Sequence, residues 1–341
     1  MNPSFNEPAK PRVRYAVVGL GHIAQAAVLP AFAHAQENSE LRALVSGDSS
    51  KLKELSARYQ VPRTYSYEQY EECLHSGEID AVYIALPNSM HCEYSLAAAR
   101  AGIHVLCEKP MALNEAECEL MIREARQNHA KLMIAYRMQF ARSHLAAIET
   151  VASGQIGNPR IFNSVFSFQV KEGNVRLRKA LGGGPLYDIG IYCINAARHL
   201  FGEEPHEVFA MNGSLDDPKF REVAESTSAT LRFSDGRLAT FTCSFGAARA
   251  SAYEVVGSKG VLRSDPAYER AGMSKHYLIV DGQAKERLFP EEDQFARQLS
   301  YFSDCLLKNE DPSPSGEEGL ADVRIIQALL RSAESGRSVQ L

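Results

Sequence analysis

Short apolar runs alternate with segments of helical periodicity over the first 136 residues. The runs are Tyr15–Val18, Leu41–Val45, Ala81–Leu86, His104–Cys107 and Leu132–Ala135. Between them, apolar positions recur at helical spacing in Ser49–Tyr59, Ser89–Ala101 and Asn114–Asn128. Runs that are apolar at every position, rather than at alternate ones, are typical of strands buried on both faces of a parallel sheet. The pattern predicts an α/β domain over residues 12–136, with a doubly wound parallel sheet of the Rossmann type.

The pattern changes after Arg137, where β-type segments follow one another and one strong helical segment interrupts them. The predicted strands are Pro159–Val170, Glu207–Asn212, Ser226–Phe233, Gly236–Phe245, Ala252–Gly257 and Lys275–Val280. The interrupting helix opens at Gly182–Pro185, and two further helical stretches, Asp293–Leu307 and Gly316–Gly336, follow. Residues 137–341 are therefore predicted to form an α+β domain around a large, mostly antiparallel open sheet.

Composition narrows the possible partners. The 341 residues are 45% apolar and 23% charged, with a net charge of −5, which is ordinary for a globular protein. Without a long basic run, neither nucleic acid nor an anionic membrane is expected as a partner. The apolar runs are far shorter than the ~20 residues of a membrane helix, and the start of the chain lacks a signal-peptide pattern. We expect a cytoplasmic protein that binds a small molecule, holds no metal, and keeps its seven scattered cysteines reduced.

A glycine-rich turn follows the first predicted strand. Gly19–Ala24, with the sequence GLGHIA, has the spacing G-x-G-x-x-A and opens a helical segment. In dinucleotide-binding folds, glycines at these positions let the backbone approach a pyrophosphate. The turn predicts a nicotinamide dinucleotide site, the alternative being an ordinary glycine-rich connection.

The end of the second predicted strand indicates which dinucleotide is bound. Enzymes that use NAD commonly carry an acid there for the ribose hydroxyls. This chain has Ser46 and Gly47, followed by Asp48 and Lys51. A hydroxyl and an ammonium can accept the 2′-phosphate that a carboxylate would repel, so NADP(H) is expected. In the alternative interpretation, a shifted turn gives Asp48 the place of the acid and Lys51 is a solvated helix residue.

Two segments carry candidate catalytic groups. Lys109 follows the fourth strand, at the sheet edge where open α/β folds bind ligands, and Pro110 keeps it out of a helix. Asp188, Tyr192 and Asn195 are spaced to share one face of an otherwise apolar helix. A phenol has an ordinary pKa of about 10 and serves as a base only near a cation, for which Lys109 is the candidate. The alternatives are a surface lysine and a hydrogen-bond network within the core.

Six stretches together resemble the Gfo/Idh/MocA family of oxidoreductases, in particular its glucose–fructose and aldose oxidoreductase branch. They are VGLG at 18–21, LVSGD at 44–48, DAVYI at 80–84, LPNSMH at 86–91, CEKPM at 107–111 and DIGIY at 188–192. The likeness extends over nearly the whole chain from Tyr15 onward. It implies that Glu108-Lys109-Pro110 is similar to the family's catalytic lysine motif. It also implies that Asp188 and Tyr192 belong to the family's helix motif, with tyrosine where many relatives, including inositol dehydrogenases, carry histidine.

The resemblance implies a set of contacts for each ligand. The NADP(H) contacts would be Gly19, Leu20, Gly21, His22, Ile23, Ser46, Gly47, Lys51, Tyr67, Leu86, Asn88, His91, Glu108, Lys109 and Arg137. The substrate side would comprise Lys109, Tyr136, Arg176, Asp188 and Tyr192, of which Lys109, Asp188 and Tyr192 would be catalytic.

The implied reaction is oxidation of an aldose at C1 to a lactone, in which Tyr192 takes the hydroxyl proton and a second sugar is reduced on the same cofactor. One alternative is a simple xylose, anhydrofructose or dihydrodiol dehydrogenase or reductase with exchanging cofactor. Another is a non-catalytic sensor of dinucleotide and sugar. Only Met1–Pro11 precedes the predicted fold, where glucose–fructose oxidoreductase has a long arm, so permanent cofactor retention and a tetramer stay open.

We expect a homodimer or homotetramer. The few predicted helices cannot cover both faces of a broad second sheet, and an uncovered face favours association with another copy. Apolar residues of Ser226–Phe245 are the expected contributors to that contact.

Overall fold

Two sheets organise the chain in the computed structural model, which describes residues 11–341. Met1–Lys10 lie outside the described residues. These ten residues make up most of the leading segment Met1–Pro11. The expectation that the chain has no signal peptide also depends mostly on them. A six-stranded sheet contains strands β1 to β6, and a nine-stranded sheet contains β7 to β15.

The first sheet is parallel throughout, with strand order β3-β2-β1-β4-β5-β6. Its strands are β1 (Val13–Val18), β2 (Ser39–Val45), β3 (Arg63–Tyr65), β4 (Ala81–Ile84), β5 (His104–Glu108) and β6 (Leu132–Ala135). All residues of β4 and β6 are buried, which explains why their sequences are apolar at every position. The order reverses between β1 and β4, and such a switch point is where open α/β sheets bind ligands. The predicted Rossmann architecture is confirmed.

The prediction misses one strand of this sheet and places the end of another two residues too late. The sequence pattern does not predict β3, because it has three residues of which two are exposed. Strand β4 ends at Ile84 rather than Leu86, since the chain there leaves the sheet and lines the cavities described below.

Helices pack on both faces of this sheet. They are a π-helical turn (Ala24–Val28) that continues into α1 (Leu29–Ala31), then α2 (Ser49–Tyr59), α3 (Tyr70–Leu74), α4 (His91–Arg100), which follows a 3-10 turn at Asn88–Met90, and α5 (Glu115–Gln127). The side chains of Asp48 and Asn114 accept hydrogen bonds from backbone N–H groups in the first turns of α2 and α5. These caps fix where the two helices begin, close to the predicted starts.

The second sheet has the order β14-β13-β12-β11-β7-β10-β9-β8-β15. Its strands are β7 (Pro159–Ser167), β8 (Glu207–Gly213), β9 (Ser226–Arg232), β10 (Leu238–Ser244), β11 (Ala250–Gly257), β12 (Gly260–Ser264), β13 (Ser274–Val280), β14 (Gln283–Phe289) and β15 (Val339–Gln340). Neighbouring strands are antiparallel except for β7 and β10, so the predicted mostly antiparallel sheet is confirmed. The sequence pattern misses β12, β14 and β15. The first six residues of β14 are exposed and mainly polar at the sheet edge.

The helices after residue 137 are more numerous than the pattern predicts. They are α6 (Arg142–Ala152), α7 (Ile191–Phe201), α8 (Gln294–Lys308) and α9 (Gly316–Ser335), joined by short turns at Arg137–Phe140, Val175–Leu177, Lys179–Leu181, Leu186–Gly190 and Pro218–Phe220. The sequence prediction omits α6, which begins without a side-chain cap that would mark its start.

Helix α8 returns to the first sheet. Phe295, Leu299 and Phe302 share a core with the inner residues of β1, and the hydroxyl of Tyr15 lies 2.8 Å from that of Ser303. Helix α9 also packs on β6 and α5. The predicted second segment, 137–341, therefore contributes both α8 and α9 to the packing of the first. Within residues 11–341, no helix is long and apolar enough to cross a bilayer, and the seven cysteines are free, six of them buried.

The outer face of the second sheet is less apolar than predicted. In the segment 226–245 the apolar side chains point into the core, and the outward positions of β9 and β10 carry mostly hydroxyls: Ser228, Thr230, Thr240 and Thr242. Leu238, which is 43% exposed and pairs in register with the equally exposed Ile161, is the exception on β10. The predicted apolar contribution of this segment is thus wrong apart from Leu238, because strand alternation turns the other apolar residues inward.

Candidate active site

A cleft of about 400 Å³ lies between the carboxyl edge of the first sheet and the turn that leads into α7. The predicted site residues that line it are Gly21, His22, Ile23, Leu86, Asn88, His91, Glu108, Lys109, Arg137, Arg176, Asp188 and Tyr192. They come from β-strand ends of one sheet and from turns packed on the other. The cleft therefore forms only when the two sheets are assembled.

A second cavity, of about 320 Å³, adjoins the first. Its lining includes Gly19, Leu20, Ser46, Gly47, Lys51 and Tyr67, together with Asp48. Gly21, Ala85, Leu86 and Pro87 line both cavities. The predicted dinucleotide contacts thus divide between two adjoining spaces, as an elongated ligand requires.

The glycine-rich turn leaves room for a ligand backbone. Gly19 has φ of +93°, and a Cβ there would lie 2.7 Å from the carbonyl oxygen of Ala85, so a side chain is excluded. A Cβ at Gly21 would meet nothing within 4 Å. The open space at Gly21, beside free backbone at the start of a helical turn, fits the pyrophosphate of a dinucleotide.

The groups at the end of β2 are arranged around the start of α2. The carboxylate of Asp48 accepts hydrogen bonds from the backbone N–H of Ser50 and Lys51, at 3.1 and 3.0 Å, and lies 3.4 Å from the Lys51 ammonium. Asp48 therefore caps helix α2. This role differs from that of a ribose-binding acid, which the alternative sequence interpretation gives to Asp48. Ser46 is buried beneath the cavity and Lys51 is half-exposed at its edge.

Lys109 lies at the floor of the cleft, directly after β5 and joined to Pro110 by a cis peptide bond. Its ammonium donates to the backbone carbonyl of Asp188 at 2.8 Å and to its carboxylate at 3.2 Å. Burial opposes the charge, but Tyr192, Asp188 and Glu108 outweigh it and raise the pKa of Lys109. The lysine therefore stays charged at neutral pH and can hold a substrate oxygen rather than exchange a proton with it.

Asp188 lies between two cations. One carboxylate oxygen faces Lys109, and the other accepts from Nε of Arg176 at 2.5 Å. Burial favours the neutral acid, but Lys109 and Arg176 outweigh burial and lower the pKa of Asp188 to about 2. A carboxylate this acidic is a poor proton acceptor near neutrality. Its geometry suits it to fix Lys109 and Arg176.

Glu108 is buried behind Lys109. Its carboxylate accepts a hydrogen bond from the hydroxyl of Tyr83 at 2.9 Å, and burial raises the pKa of Glu108 despite the nearby ammonium of Lys109. The pair supports the end of β5 from inside the sheet. Glu108 thus contributes to the shape and charge of the floor.

Tyr192 occupies the first turn of α7, with two cations near its ring. Nζ of Lys109 is 4.9 Å and Cζ of Arg137 is 4.8 Å from the ring centroid. Its hydroxyl accepts from Nε of Arg137 at 3.1 Å, and its ring meets Phe166 edge to face at 5.6 Å. The phenol is the one cleft group whose ordinary chemistry combines a transferable proton with an oxygen that a cation can stabilise.

Two polar residues do not line the cleft: Tyr136, a predicted substrate contact, and Asn195, which shares the polar helix face with Asp188 and Tyr192. Tyr136 is buried and borders a separate cavity of about 10 Å³ behind Lys109 and Tyr192. The side chain of Asn195 donates to Glu318 and Asp322 on α9, at 3.2 and 3.0 Å. Tyr136 packs in the core after β6 and does not line the cleft, and its role as a substrate contact stays a prediction.

His91 lines the cleft but its ring is engaged elsewhere. Its two nitrogens lie 2.8 and 3.0 Å from the carbonyl oxygens of Pro110 and Leu86, and the residue is fully buried. It holds together the two loops that carry Lys109 and the end of β4. Asn88 has a similar role, since its amide donates to the carbonyl of Gly182 at 2.8 Å.

Sequence reasoning misses the apolar wall of the cleft. Phe166, Phe168, Val175, Leu181 and Phe295 line it opposite the polar floor. The first two follow alternate positions of the β7 segment and share the face of buried Phe162, a signal that period-two reading could have used. Phe295 comes from α8, and only the return of that helix to the first sheet brings it here.

Comparisons with known proteins agree with this architecture. Residues 13–136 match the family model described as an oxidoreductase family with an NAD-binding Rossmann fold, and residues 144–263 match the GFO/IDH/MocA C-terminal domain. The D-xylose 1-dehydrogenase [NADP(+)] of Haloarcula marismortui is 31% identical, over 96% of this chain and 93% of its own.

Two solved structures are similar over nearly the full chain. The aldose–aldose oxidoreductase of Caulobacter crescentus, in complex with glycerol, is 39% identical with a TM-score of 0.92, covering 97% of this chain and 100% of its own. The 3-ketoreductase KijD10 of Actinomadura kijaniata, in complex with NADP and TDP-benzene, is 28% identical with a TM-score of 0.87, covering 94% and 98%. The chain, with a Rossmann sheet, a mostly antiparallel second sheet and a lysine–tyrosine cleft between them, belongs to the Gfo/Idh/MocA family of oxidoreductases.

Proposed function

We propose that this protein is an NADP(H)-dependent sugar oxidoreductase that oxidises an aldose at C1 to a lactone and can reduce a second sugar on the same cofactor. The observation that carries the proposal is the grouping of Lys109, Asp188 and Tyr192 on one floor, reached from a cavity continuous with the glycine-rich turn. A charged lysine, an ionised aspartate and a phenol suit an alcohol that must lose a proton and a hydride together.

Each residue of the cleft has a distinct role in the proposed reaction. Lys109 donates to the hydroxyl oxygen on the sugar carbon that is oxidised and stabilises the negative charge that develops on that oxygen. Asp188 and Arg176 hold Lys109 in place and offer an acceptor and a donor for neighbouring sugar hydroxyls. The Tyr192 oxygen accepts the proton of the anomeric hydroxyl, and it returns a proton when a carbonyl is reduced. Phe166 and Phe168 exclude water from that side of the cleft.

The nicotinamide, when bound, supplies the hydride acceptor or donor. Ser46 and Lys51 would hold the 2′-phosphate, and the turn at Gly19 and Gly21 the pyrophosphate. Relatives support this preference, because the named xylose dehydrogenase uses NADP and the structure of the 3-ketoreductase contains it. NADP(H) rather than NAD(H) is the cofactor of the proposal.

A simple dehydrogenase with exchanging cofactor is the second candidate. The observation in its favour is the full-length similarity to a D-xylose 1-dehydrogenase. The two candidates share the oxidation half-reaction at Tyr192. They differ in whether the nucleotide leaves between turnovers.

One experiment tests the proposal and separates the candidates. The purified protein is denatured, and the released nucleotide is identified and measured against protein. The native protein is then mixed with aldoses, with and without added NADP⁺, and the product is analysed as a lactone. Stoichiometric bound nucleotide with sugar-to-sugar transfer supports the coupled reaction, and dependence on added NADP⁺ supports the dehydrogenase. The absence of lactone from every aldose under both conditions would reject the proposed function.

A further inference from the structure

The side chain of Arg137 is fixed by hydrogen bonds to several residues of the protein itself. Nη1 donates to the side-chain oxygen of Gln294 at 2.8 Å and to the carbonyl of Glu269 at 3.3 Å, and Nη2 donates to the carbonyl of Tyr268 at 2.6 Å. Nε donates to the hydroxyl of Tyr192 at 3.1 Å. The residue is only 7% exposed. These contacts place the guanidinium in one orientation, with its Nε edge at the phenol.

A donor count limits what else Arg137 can bind. A guanidinium has five N–H groups, and the contacts to Gln294, Glu269, Tyr268 and Tyr192 account for four of them. At most one N–H group is left for a dinucleotide, although the residue lines the cleft. The geometry therefore favours a role toward Tyr192 over the cofactor contact that the family resemblance implies.

Lys109 makes a different contact with the same tyrosine. Its ammonium donates to the carbonyl and carboxylate of Asp188, and among residues 11–341 it makes no hydrogen bond with the Tyr192 hydroxyl. It faces the ring, 4.9 Å from the centroid. The cation in contact with the phenol oxygen is Arg137.

This contact also fixes the direction of the phenol proton. Arginine has only donors, so the hydrogen of a neutral Tyr192 hydroxyl must point away from Nε. When the phenol is ionised, the same N–H group makes a charge-assisted hydrogen bond to the phenolate, which is stronger than a neutral one. Both protonation states keep the contact, and the ionised state gains more from it.

We infer that Arg137 is a positioning residue for the proton-transfer step: it holds the Tyr192 hydroxyl in register with the cleft and stabilises its deprotonated form, while Lys109 holds the sugar oxygen. The inference rests on the proposed function of Tyr192 as proton acceptor. In oxidation, the O–H bond of the sugar breaks and a new O–H bond forms on Tyr192, whose oxygen keeps the hydrogen bond from Arg137 throughout.

The test uses 3-fluorotyrosine placed at position 192 of the full chain, with ¹⁹F NMR across pH in the absence of sugar. Arg137→Met removes the guanidinium and keeps an unbranched apolar stem, and we expect it to raise the pH midpoint of fluorotyrosine ionisation by roughly one to three pH units. Arg237→Met is the matched control. Arg237 is also largely buried, at 11% side-chain exposure, but pairs with Glu203 and Asp235, and its loss should leave the midpoint unchanged.

Turnover gives an independent readout. In Arg137→Met the pH midpoint of the aldose oxidation rate should rise with the NMR midpoint, while the dissociation constant for NADP(H) changes less than threefold. If Arg137→Met does not fold, Arg137→Gln, which keeps an N–H donor without the charge, makes the same comparison. Added guanidinium should partly restore the rate of Arg137→Gly.

An unchanged fluorotyrosine midpoint in a folded Arg137 variant would overturn the inference, whatever the activity. A shifted midpoint in a protein that oxidises no aldose would support the contact between Arg137 and Tyr192 and reject the proposed function. The NMR titration therefore separates the two claims.

Discussion

Lys109 and Tyr192 differ in the part of the reaction that each can serve. The raised pKa of Lys109 keeps it an ammonium at neutral pH, because Tyr192, Asp188 and Glu108 compensate for its burial. The phenol, by contrast, lies at the hydrogen-bonding edge of a guanidinium and can give up its proton. In the proposed function, Lys109 is a fixed charge and Tyr192 is the proton carrier.

Lys109→Met and Tyr192→Phe are each expected to lower the rate of aldose oxidation by roughly 10²–10⁴-fold while leaving NADP(H) binding nearly intact. The combined variant should lose less than the sum of the two effects, because both act on the same oxygen of the substrate. Steady-state kinetics across pH and a nucleotide titration measure these effects. The parent rate should rise with pH, and Lys109→Met should move its midpoint upward.

Tyr187→Phe provides the matched control for the tyrosine. Its hydroxyl donates to the carbonyl of Leu113 at 2.7 Å, and it does not line the cleft. If Tyr192→Phe retains turnover within a few-fold of the parent across the pH range, Tyr192 is only a packing or binding element. The proton acceptor would then have to be a water, since the ring nitrogens of His91 face two carbonyls.

Lys51→Ala is expected to weaken NADP(H) binding roughly ten- to a hundredfold and NAD(H) binding much less, because one charge-assisted contact to the 2′-phosphate is lost. Fluorescence titration with both reduced nucleotides measures the difference. Lys53→Ala, an exposed position on the same helix, is the control. Equal losses for the two nucleotides, or tighter NAD(H) binding by the parent, would show that the phosphate is not held at this position.

At the scale of elements, two buried histidines, one on a helix and one on a strand, make the stability of the core sensitive to acid. His144 on α6 is 1% exposed, and within residues 11–341 neither ring nitrogen has a hydrogen-bond partner. Burial, with the neighbouring His199 and His276, lowers the pKa of His144 to about 3. Burial and Arg287 lower the pKa of His276 on β13 to about 4. Both side chains are therefore neutral in the folded protein at neutral pH.

These two histidines predict a loss of stability on mild acidification. An unfolded chain protonates histidine near pH 6.5, whereas the folded protein keeps both rings neutral, so the free energy of unfolding falls as the pH drops below 6.5. The expected loss is roughly 2 kcal/mol per histidine between pH 6.5 and pH 5. Urea denaturation at several pH values measures it. His144→Leu should flatten the dependence, and a slope equal to that of the parent would contradict the assignment.

The window between pH 6.5 and pH 5 separates the histidines from the buried acids whose pKa is lowered, Glu318 and Asp188. Glu318 on α9, whose pKa is lowered to about 2 by His199 and Arg198 against the opposing effect of burial, contributes stability that is lost only below its unfolded pKa near 4.5. Asp188, with a pKa of about 2, behaves in the same way. Acid loss below pH 4.5 therefore has a different origin.

At the scale of the whole molecule, the nine-stranded sheet has helices on one face. Helices α6, α7 and α9 pack on it, and buried Phe162 and Phe241 point toward them. The opposite face presents Thr240 and Thr242, with the exposed pair of Ile161 and Leu238 beside them. A sheet face with apolar residues among hydroxyls is suited to contact with a second copy.

We expect a homodimer or larger assembly through this face, detected by light scattering at micromolar concentration. Thr242→Arg should shift the mass toward the monomer, because the uncovered face would then bury an unpaired charge. Ala57→Arg, at an exposed position of α2, is the control that should leave the mass unchanged. A monomeric parent protein would refute the assembly prediction.

Local sequence determined the elements and the chemistry that lies on them. Continuous apolar runs specify strands buried on both faces, Asp48 and Asn114 mark the helix starts that they cap, and Gly19 marks a turn whose backbone excludes a side chain. Each of these signals depends on a few neighbouring residues and can therefore be recognised in the sequence alone. Charged edge strand β14 and uncapped α6 lack such signals, and the pattern misses them.

Tertiary packing decided which of those groups meet. The return of α8 to the first sheet brings Phe295 to the cleft and Gln294 to Arg137. The loop after β12 supplies the carbonyls that orient Arg137. The same packing places the ring of Tyr136 in the core. It also brings Arg137, rather than Lys109, into hydrogen-bond contact with the phenol oxygen of Tyr192. Contacts between residues 55 to 157 positions apart depend on the relative placement of two sheets, and periodicity along the chain carries no record of that placement.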